Sequence, residues 1–178
     1  QGLKGDERIL AEARRHFKQC QDWEADARKL FIQDIKFDAA DSDNGYQWPN
    51  ALLSSRNGDD RPSLTINKTH QHNLQIINDG KQNKPGVKVI ATGNGASAES
   101  AQVFADVVRR IEYISNAQAA YDTAYSFAVR GGIGYWRILP DYCHDDTFDQ
   151  DLFIRRIKDP NSVYLDPDID EADGSDAR

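Results

Sequence analysis

Apolar residues recur at steps of three to five along the first part of the chain. Ile9, Ala13, Phe17, Cys20, Trp23, Ala27, Leu30 and Ile35 follow one another with charged residues between them. At about 3.6 residues per turn such positions share one side of a helix. The pattern therefore predicts one long amphipathic helix over 6–37. Asp6 and Glu7 suit the positive end of its dipole. Such a helix either packs along its own domain or serves as an arm that docks on a neighbouring subunit. Under the second reading Phe17, Trp23 and Leu30 are candidate interface residues.

The periodicity stops at residue 38. DAADSDNG, Trp48-Pro49 and the run Asn57-Gly58-Asp59-Asp60 read as a long loop over 38–61, with Trp48 expected to pin it to the core. A second helix is predicted over 65–82, with Ile66, Leu74 and Ile77 on one side and Gly80 weakening its end by ~1 kcal/mol. Pro85-Gly86 breaks it. Val87 to Ala91 alternates and is β-branched, so it reads as a short strand, followed by a turn at Gly93-Asn94-Gly95.

Ser97 can cap a third helix over 97–115, with Glu99 in its first turn and Ala101, Phe104, Val108 and Ile111 as its inner stripe. Asn116 is expected to cap a fourth, ended by Gly131-Gly132. Ala117, Ala120 and Ala124 fall on one face of that helix. Small residues let another backbone approach closely, which makes these three a second candidate contact with a neighbouring subunit. A hairpin is predicted from Ile133–Tyr142 and Asp151–Lys158, and a further short strand over 162–165. The fold class expected is α+β, about four helices on a small, mostly antiparallel sheet. The organisation expected is an amino-terminal helix or arm (1–37), a loop (38–61), an α+β core (62–165) and an acidic segment (166–178).

Composition refines this picture. The chain has 178 residues, of which 39% are hydrophobic and 29% charged. That supports a core under a heavily charged surface. No apolar run reaches the ~20 residues needed to span a bilayer, so no membrane contact is expected. The polar start, Gln1 to Arg8, does not read as a signal peptide. Two cysteines, Cys20 and Cys143, stand far apart and outside any CxxC motif, so reduced thiols in a cytosolic setting are expected. No Met occurs, even at position 1, which leads us to expect a fragment of a longer protein. The net charge of −7 is unevenly spread: residues 61–140 carry nine basic and five acidic groups, and residues 141–178 four and twelve. Tight DNA binding needs a basic surface that displaces counterions, and the chain as a whole lacks one.

Candidate chemistry is sparse. Gly131-Gly132-Ile133-Gly134 invites a phosphate-loop reading, but phosphate loops follow a strand and open a helix, the reverse of the order here. Asp166, Asp168 and Asp170 start like a calcium loop. Glu171 stands where that loop needs Gly, and Ala177 where it needs a chelating Glu. His70 and His72 lie about 200° apart on a helix and share no face. His144 with Asp145 and Asp146 has no second ligand set. No G-x-S-x-G elbow appears. No cofactor is expected. Arg109-Arg110 and Arg155-Arg156 read as surface ion pairs, or as phosphate or subunit contacts, and Arg155 and Arg156 join the candidate interface.

Three segments in order carry a resemblance. TINKTHQHNLQIINDGKQNKP, AYDTAYSFAVRGGIGYWRI and FDQDLFIRRIKDPNSVYLDPD, with DGSDA after them, are similar to the amino-terminal part of the portal protein of P22-like short-tailed bacteriophages. The second runs from an Ala-Tyr-Asp-Thr helix through Gly-Gly into an aromatic strand. In the third, Leu165 stands where the family often has an aromatic residue. The stretch 6–37 resembles the family's opening helix more loosely.

The resemblance implies a non-enzymatic subunit of a homo-oligomeric ring, typically of twelve copies, at one vertex of a phage or prophage head. It implies double-stranded DNA passing through the channel during packaging and ejection, without sequence-specific binding. It implies a terminase motor, capsid, scaffolding and tail adaptor proteins as partners. The setting implied is the virion, with assembly in the host cytoplasm. The chain would be much of the outer wing, with the acidic segment leading into a missing continuation. Two rivals stand beside this reading: an interaction module unrelated to portals, and an acidic domain that binds a divalent metal.

Overall fold

The computed structural model describes residues 5–40, 48–84, 86–93, 95–171 and 174–177. Among them the chain forms α1 (Gly5–Ala39), α2 (Asn50–Gly58), α3 (Thr69–Gln82), α4 (Ala98–Ser115), α5 (Ala117–Gly131), β1 (Trp136–Tyr142) and β2 (Gln150–Arg156). A single 3-10 turn, Pro160–Ser162, follows. The two strands form one antiparallel hairpin, from Trp136↔Arg156 to Tyr142↔Gln150. The architecture is α+β, as expected.

The fold is assembled around α5, which touches α1, α3, α4 and both strands. Its alanines make this possible. Ala117 and Ala120 pack against Ile154 of β2, with Ile111 of α4 and Tyr121 alongside. The small-residue face expected to meet a second subunit is thus occupied from within. Three glycines bring other segments just as close. A Cβ on Gly134 would sit 1.9 Å from the Ala124 carbonyl oxygen, and one on Gly131 would sit 2.4 Å from the Phe31 ring. One on Gly80 would sit 2.2 Å from the Tyr125 ring. The sequence Gly131–Gly134 is therefore a packing device. It seats α1 on α5 and lets the chain turn beneath α5 into β1, with Gly132 (φ 90°) closing the helix.

Helices α4 and α5 meet with one residue between them. Asn116 adopts the left-handed conformation (φ 48°, ψ 48°) and donates its N–H to Glu112 and Tyr113 carbonyls. Its side chain makes no cap on α5, contrary to expectation. Asn tolerates this backbone conformation better than other residues with a Cβ. The cap expected at Ser97 is present: Ser97 Oγ accepts from the Ser100 amide at 3.0 Å.

Several local expectations need correction. The predicted loop over 38–61 contains α2, a helix with no buried residue. Trp48 pins it locally, with the Arg56 guanidinium 4.8 Å from its ring centroid. Helix α3 starts at Thr69, four residues later than predicted. The segment 87–91 joins no strand, and the strand expected over 162–165 is replaced by the end of the 3-10 turn and a run without regular structure. A strand needs a neighbouring edge, and in one copy of the chain neither segment has one. Parts of the expected turn (Asn94) and of the acidic segment lie outside the described residues.

Close approach at α5 should dominate stability. Gly134→Ala should destabilise by about 3 kcal/mol or more, since the clash is with backbone that cannot step aside. Asn116→Ala should cost about 1 kcal/mol and Asn116→Gly almost nothing, because only the left-handed conformation is at stake. Urea unfolding midpoints of the three variants, followed by circular dichroism, provide the check.

Candidate functional site

With no catalytic constellation legible in the sequence, the surfaces that could meet another subunit are the site to locate. Their geometry depends on how α1 is held. The apolar stripe predicted for α1 does not face the core. Ile9 (66% exposed), Trp23 (63%) and Leu30 (59%) lie open, and the residues α1 buries are Glu24, Phe31 and Asp38. A seven-residue spacing puts those three on one face, and two of them are carboxylates. Polar contacts decide which way this helix is turned.

The first contact set clamps the carboxyl-terminal run to α1. Glu24 Oε2 accepts from Arg28 Nε at 2.8 Å and from its terminal nitrogen at 2.6 Å. Glu24 Oε1 accepts from the Leu165 amide at 2.8 Å. The Arg28 guanidinium also donates to the carbonyls of Asn161 and Val163 and stacks 3.7 Å from the Tyr164 ring centroid. Phe17 meets Tyr164 edge-on at 4.8 Å. Residues 161–165 thereby find along α1 the backbone partners that a sheet would otherwise supply. A small cavity of about 310 Å³, lined by Trp23, Phe31, Ile133 and Leu165 among others, remains between them.

The second set gathers three helices at Asp38, the last buried residue of α1. Its Oδ1 accepts from Asn73 at 2.8 Å, and its Oδ2 lies 3.1 Å from His70 Nδ1 and 3.3 Å from Arg130 Nε. Asn67 caps from below, donating to the Asp38 carbonyl at 2.6 Å and accepting from the His70 amide at 3.0 Å. One carboxylate thus ties α1 to α3 and α5. Sequence reading missed this node because Asp38 was placed in a loop. Glu24 and Arg28 carried a visible signal, an i,i+4 acid–base pair in the favourable order.

The amino-terminal half of α1 projects past this attachment. Residues 5–15 are all exposed, with Ile9 at 66% and Leu10 at 56%. Phe17 is half-exposed despite its contact with Tyr164. Trp23 and Leu30, seven apart, form an open apolar line on the flank beside the buried face. Ala117, Ala120 and Ala124, at 1%, 3% and 7% exposure, are internal and offer no outer surface. Arg155 is exposed, 3.6 Å from Asp141 and over the Phe153 ring, and Arg156 is exposed without an ion pair among the described residues. Arg109 pairs with Asp106 at 2.9 Å, and Arg110 approaches Asp151 at 3.8 Å.

Carboxylates of the acidic end are occupied by backbone amides. Asp166 accepts from the Asp168 amide at 3.0 Å, and Asp176 accepts from the Asp170 and Glu171 amides at 2.8 and 3.4 Å. The Asp170 amide, first among these influences, holds the Asp176 carboxyl below its ordinary range. Such a group contributes to the turn at neutral pH and stops contributing as pH falls through its lowered pKa. Desolvation and then the Asp151 carboxylate push the Cys143 thiol up, which disfavours the nucleophilic thiolate. Among the described residues no group of three or more His, Cys, Asp or Glu side chains could hold a metal ion. No helix of the described residues is long and apolar enough to cross a membrane. A groove of about 850 Å³ runs between α3 and α5 to the start of β1. Ile76, Tyr121, Tyr125 and Trp136 line it, and its charged residues, Asp79, Glu112 and Asp122, are all acidic.

Comparison with known proteins completes this description. A family model described as "Phage P22-like portal protein" matches residues 14–178. Neither the curated proteins nor the solved structures give a match.

The Asp38 node predicts its own test. Asp38→Ala should destabilise the fold by about 2–3 kcal/mol, because it strands the half-buried Arg130 and the Asn73 amide together. The double change Asp38→Ala with Arg130→Leu should recover part of that loss. Denaturant midpoints for the two single variants and the double variant decide the coupling.

Proposed function

The chain belongs to the phage P22-like portal protein family, a structural and non-catalytic family, and from that premise we propose that it is the wing region of a portal ring subunit. Portal proteins form an oligomeric ring at the head vertex of the phage virion and work with capsid and packaging components. In the proposed reading twelve copies of the whole subunit surround a channel. Double-stranded DNA enters through it during packaging and leaves through it at ejection. Terminase, scaffolding and tail adaptor proteins dock on the assembly, which is built in the host cytoplasm of a phage or prophage. The single observation that carries the proposal is the family match over 14–178.

Two physical features support it. A ring subunit needs two different patches that meet head to tail. Helix α1 presents Trp23 and Leu30 to solvent beside the contacts of Glu24, Arg28 and Asp38 that hold it, and Ile9 beyond them. A rigid helix with an open apolar line loses little entropy when a partner covers it. The net charge of −7 also disfavours a grip on phosphate, which suits a ring that passes DNA without holding it.

Electron microscopy of the intact gene product tests the reading. A closed ring is expected, with a central opening wide enough for a duplex, ~20 Å or more. Particles without an opening would sink the proposal. Trp23→Asp combined with Leu30→Asp should leave the circular dichroism and thermal midpoint of this chain nearly unchanged, because both positions are exposed, yet impair ring assembly of the intact product.

A further inference from the structure

Strand β1 has one paired edge and one open edge, and the hydrogen bonds identify what faces outward. The Ile154 amide donates to Ser115 Oγ at 2.9 Å, so it points away from β1. Ile138↔Ile154 is therefore a pair that exchanges no ladder bonds. At the hairpin mouth the Cys143 amide donates to the Asp149 carbonyl at 2.9 Å, two pairs on from a bonded Asp141↔Asp151. The odd-numbered residues of β1 thus bond to β2. Trp136, Ile138, Pro140 and Tyr142 turn their backbone groups outward.

Half of that outer edge is closed. Pro140 has no N–H to offer, and the Tyr142 amide is taken by Asp141 Oδ1 at 3.0 Å. The other half is open. The amides and carbonyls of Trp136 and Ile138 have no protein partner on that side among the described residues. This half-edge adjoins the 850 Å³ groove, which Trp136 itself lines and whose charged residues are all acidic. An open strand edge beside an apolar groove is the geometry by which an added strand binds: backbone bonds hold it and alternate side chains enter the groove.

The chain carries a segment of matching chemistry. Residues 84–92 read KPGVKVIAT, β-branched and basic, with Lys84 and Lys88 flanking Val87. Val87 and Ile90 are 62% and 65% exposed, and residues 86–92 belong to no sheet. The segment lies in the connection 83–97 between α3 and α4. Its described residues form no helix or strand, and a connection of that length without regular structure is uncommon unless functional. At ~3.3 Å per extended residue its middle can stand about 20 Å from its anchors. Gly86 and Val87 border the groove of their own copy, yet no hydrogen bond joins 86–92 to β1 there.

We infer that the open half-edge of β1, at Trp136 and Ile138, is extended by the 87–91 segment of a second copy, with the donor's lysines facing the acidic groove. Donor and acceptor are different surfaces, so the contact is head to tail and propagates around a ring. The inference rests on the portal reading for the ring and adds the strand pairing as one of its contacts.

The test uses the 178-residue chain and a synthetic peptide of residues 84–92. The peptide should bind and protect the Trp136 and Ile138 amides from hydrogen exchange. Ile138→Pro in the chain should weaken binding about tenfold or more with the hairpin preserved, since that amide lies outside the ladder. A peptide with Pro at both 89 and 90 should also fail, because successive residues face opposite edges and one of the two must face β1; this control leaves the folded chain untouched. Lys84→Glu with Lys88→Glu in the peptide, or added salt, should weaken binding as well. Equal binding by the proline peptide or the Ile138→Pro chain, or no binding, overturns the inference. So does protection of both amides in dilute chain without peptide, which would mean that the segment closes on its own copy. Electron microscopy of the intact product with Ile138→Pro separates this inference from the portal reading. Undisturbed rings overturn the strand pairing alone, whereas a wild-type product without rings overturns the portal reading and leaves the peptide result to judge the strand.

Discussion

The contact between Gly134 and the carbonyl of Ala124 has no room for a single added carbon. Everything downstream of α5 depends on it. Where the chain leaves the left-handed Gly132, it folds back beneath the helix it has just completed, and β1 and β2 then lie against the alanine face. Gly131 and Gly80 extend the same principle to α1 and α3. The core is accordingly thin: apart from Pro160, six apolar residues are buried among those described, three of them alanines of α5. Close backbone approach does here what large side chains do in thicker domains.

A thin core leaves orientation to polar contacts. Glu24 with Arg28 and Asp38 with Asn73, His70 and Arg130 determine how α1 lies, and they turn inward a face with two carboxylates. Partial burial strengthens these interactions relative to water, and each carboxylate is satisfied several times over, so its burial is tolerated. The consequence reaches function. Since polar groups hold the helix, its apolar residues are free to face outward. The open half of the β1 edge has the same character: a backbone surface shaped by the fold and left without a partner among the described residues of one copy.

Much of this was legible along the chain. Helices α3, α4 and α5, the hairpin, the cap at Ser97 and the stop at Gly131-Gly132 follow from local rules, because helix periodicity, capping and glycine conformation act within a few residues. The three motifs through TINKTHQHNLQIINDGKQNKP, AYDTAYSFAVRGGIGYWRI and FDQDLFIRRIKDPNSVYLDPD pointed to the portal family, to which the chain belongs. Of the candidate interface residues, Trp23 and Leu30 were picked by periodicity and stand open, whereas Ala117, Ala120 and Ala124 were picked for small size and are spent on β2 and the turn before it. A stripe of small residues signals close approach but carries no information about which backbone approaches.

What the sequence determined by itself is therefore the existence and type of most elements and the family to which they belong, since both are written in short-range order. Only the tertiary structure decided that α1 turns its carboxylates inward, that 87–91 and 162–165 remain outside the sheet, and that Asp38 joins three helices. Each of these depends on groups brought together from distant parts of the chain: Glu24 with Leu165, Asp38 with Arg130, β1 with whatever strand lies beside it. Pairing across such separations is settled by competition for buried hydrogen bonds and edge positions, which no local pattern records.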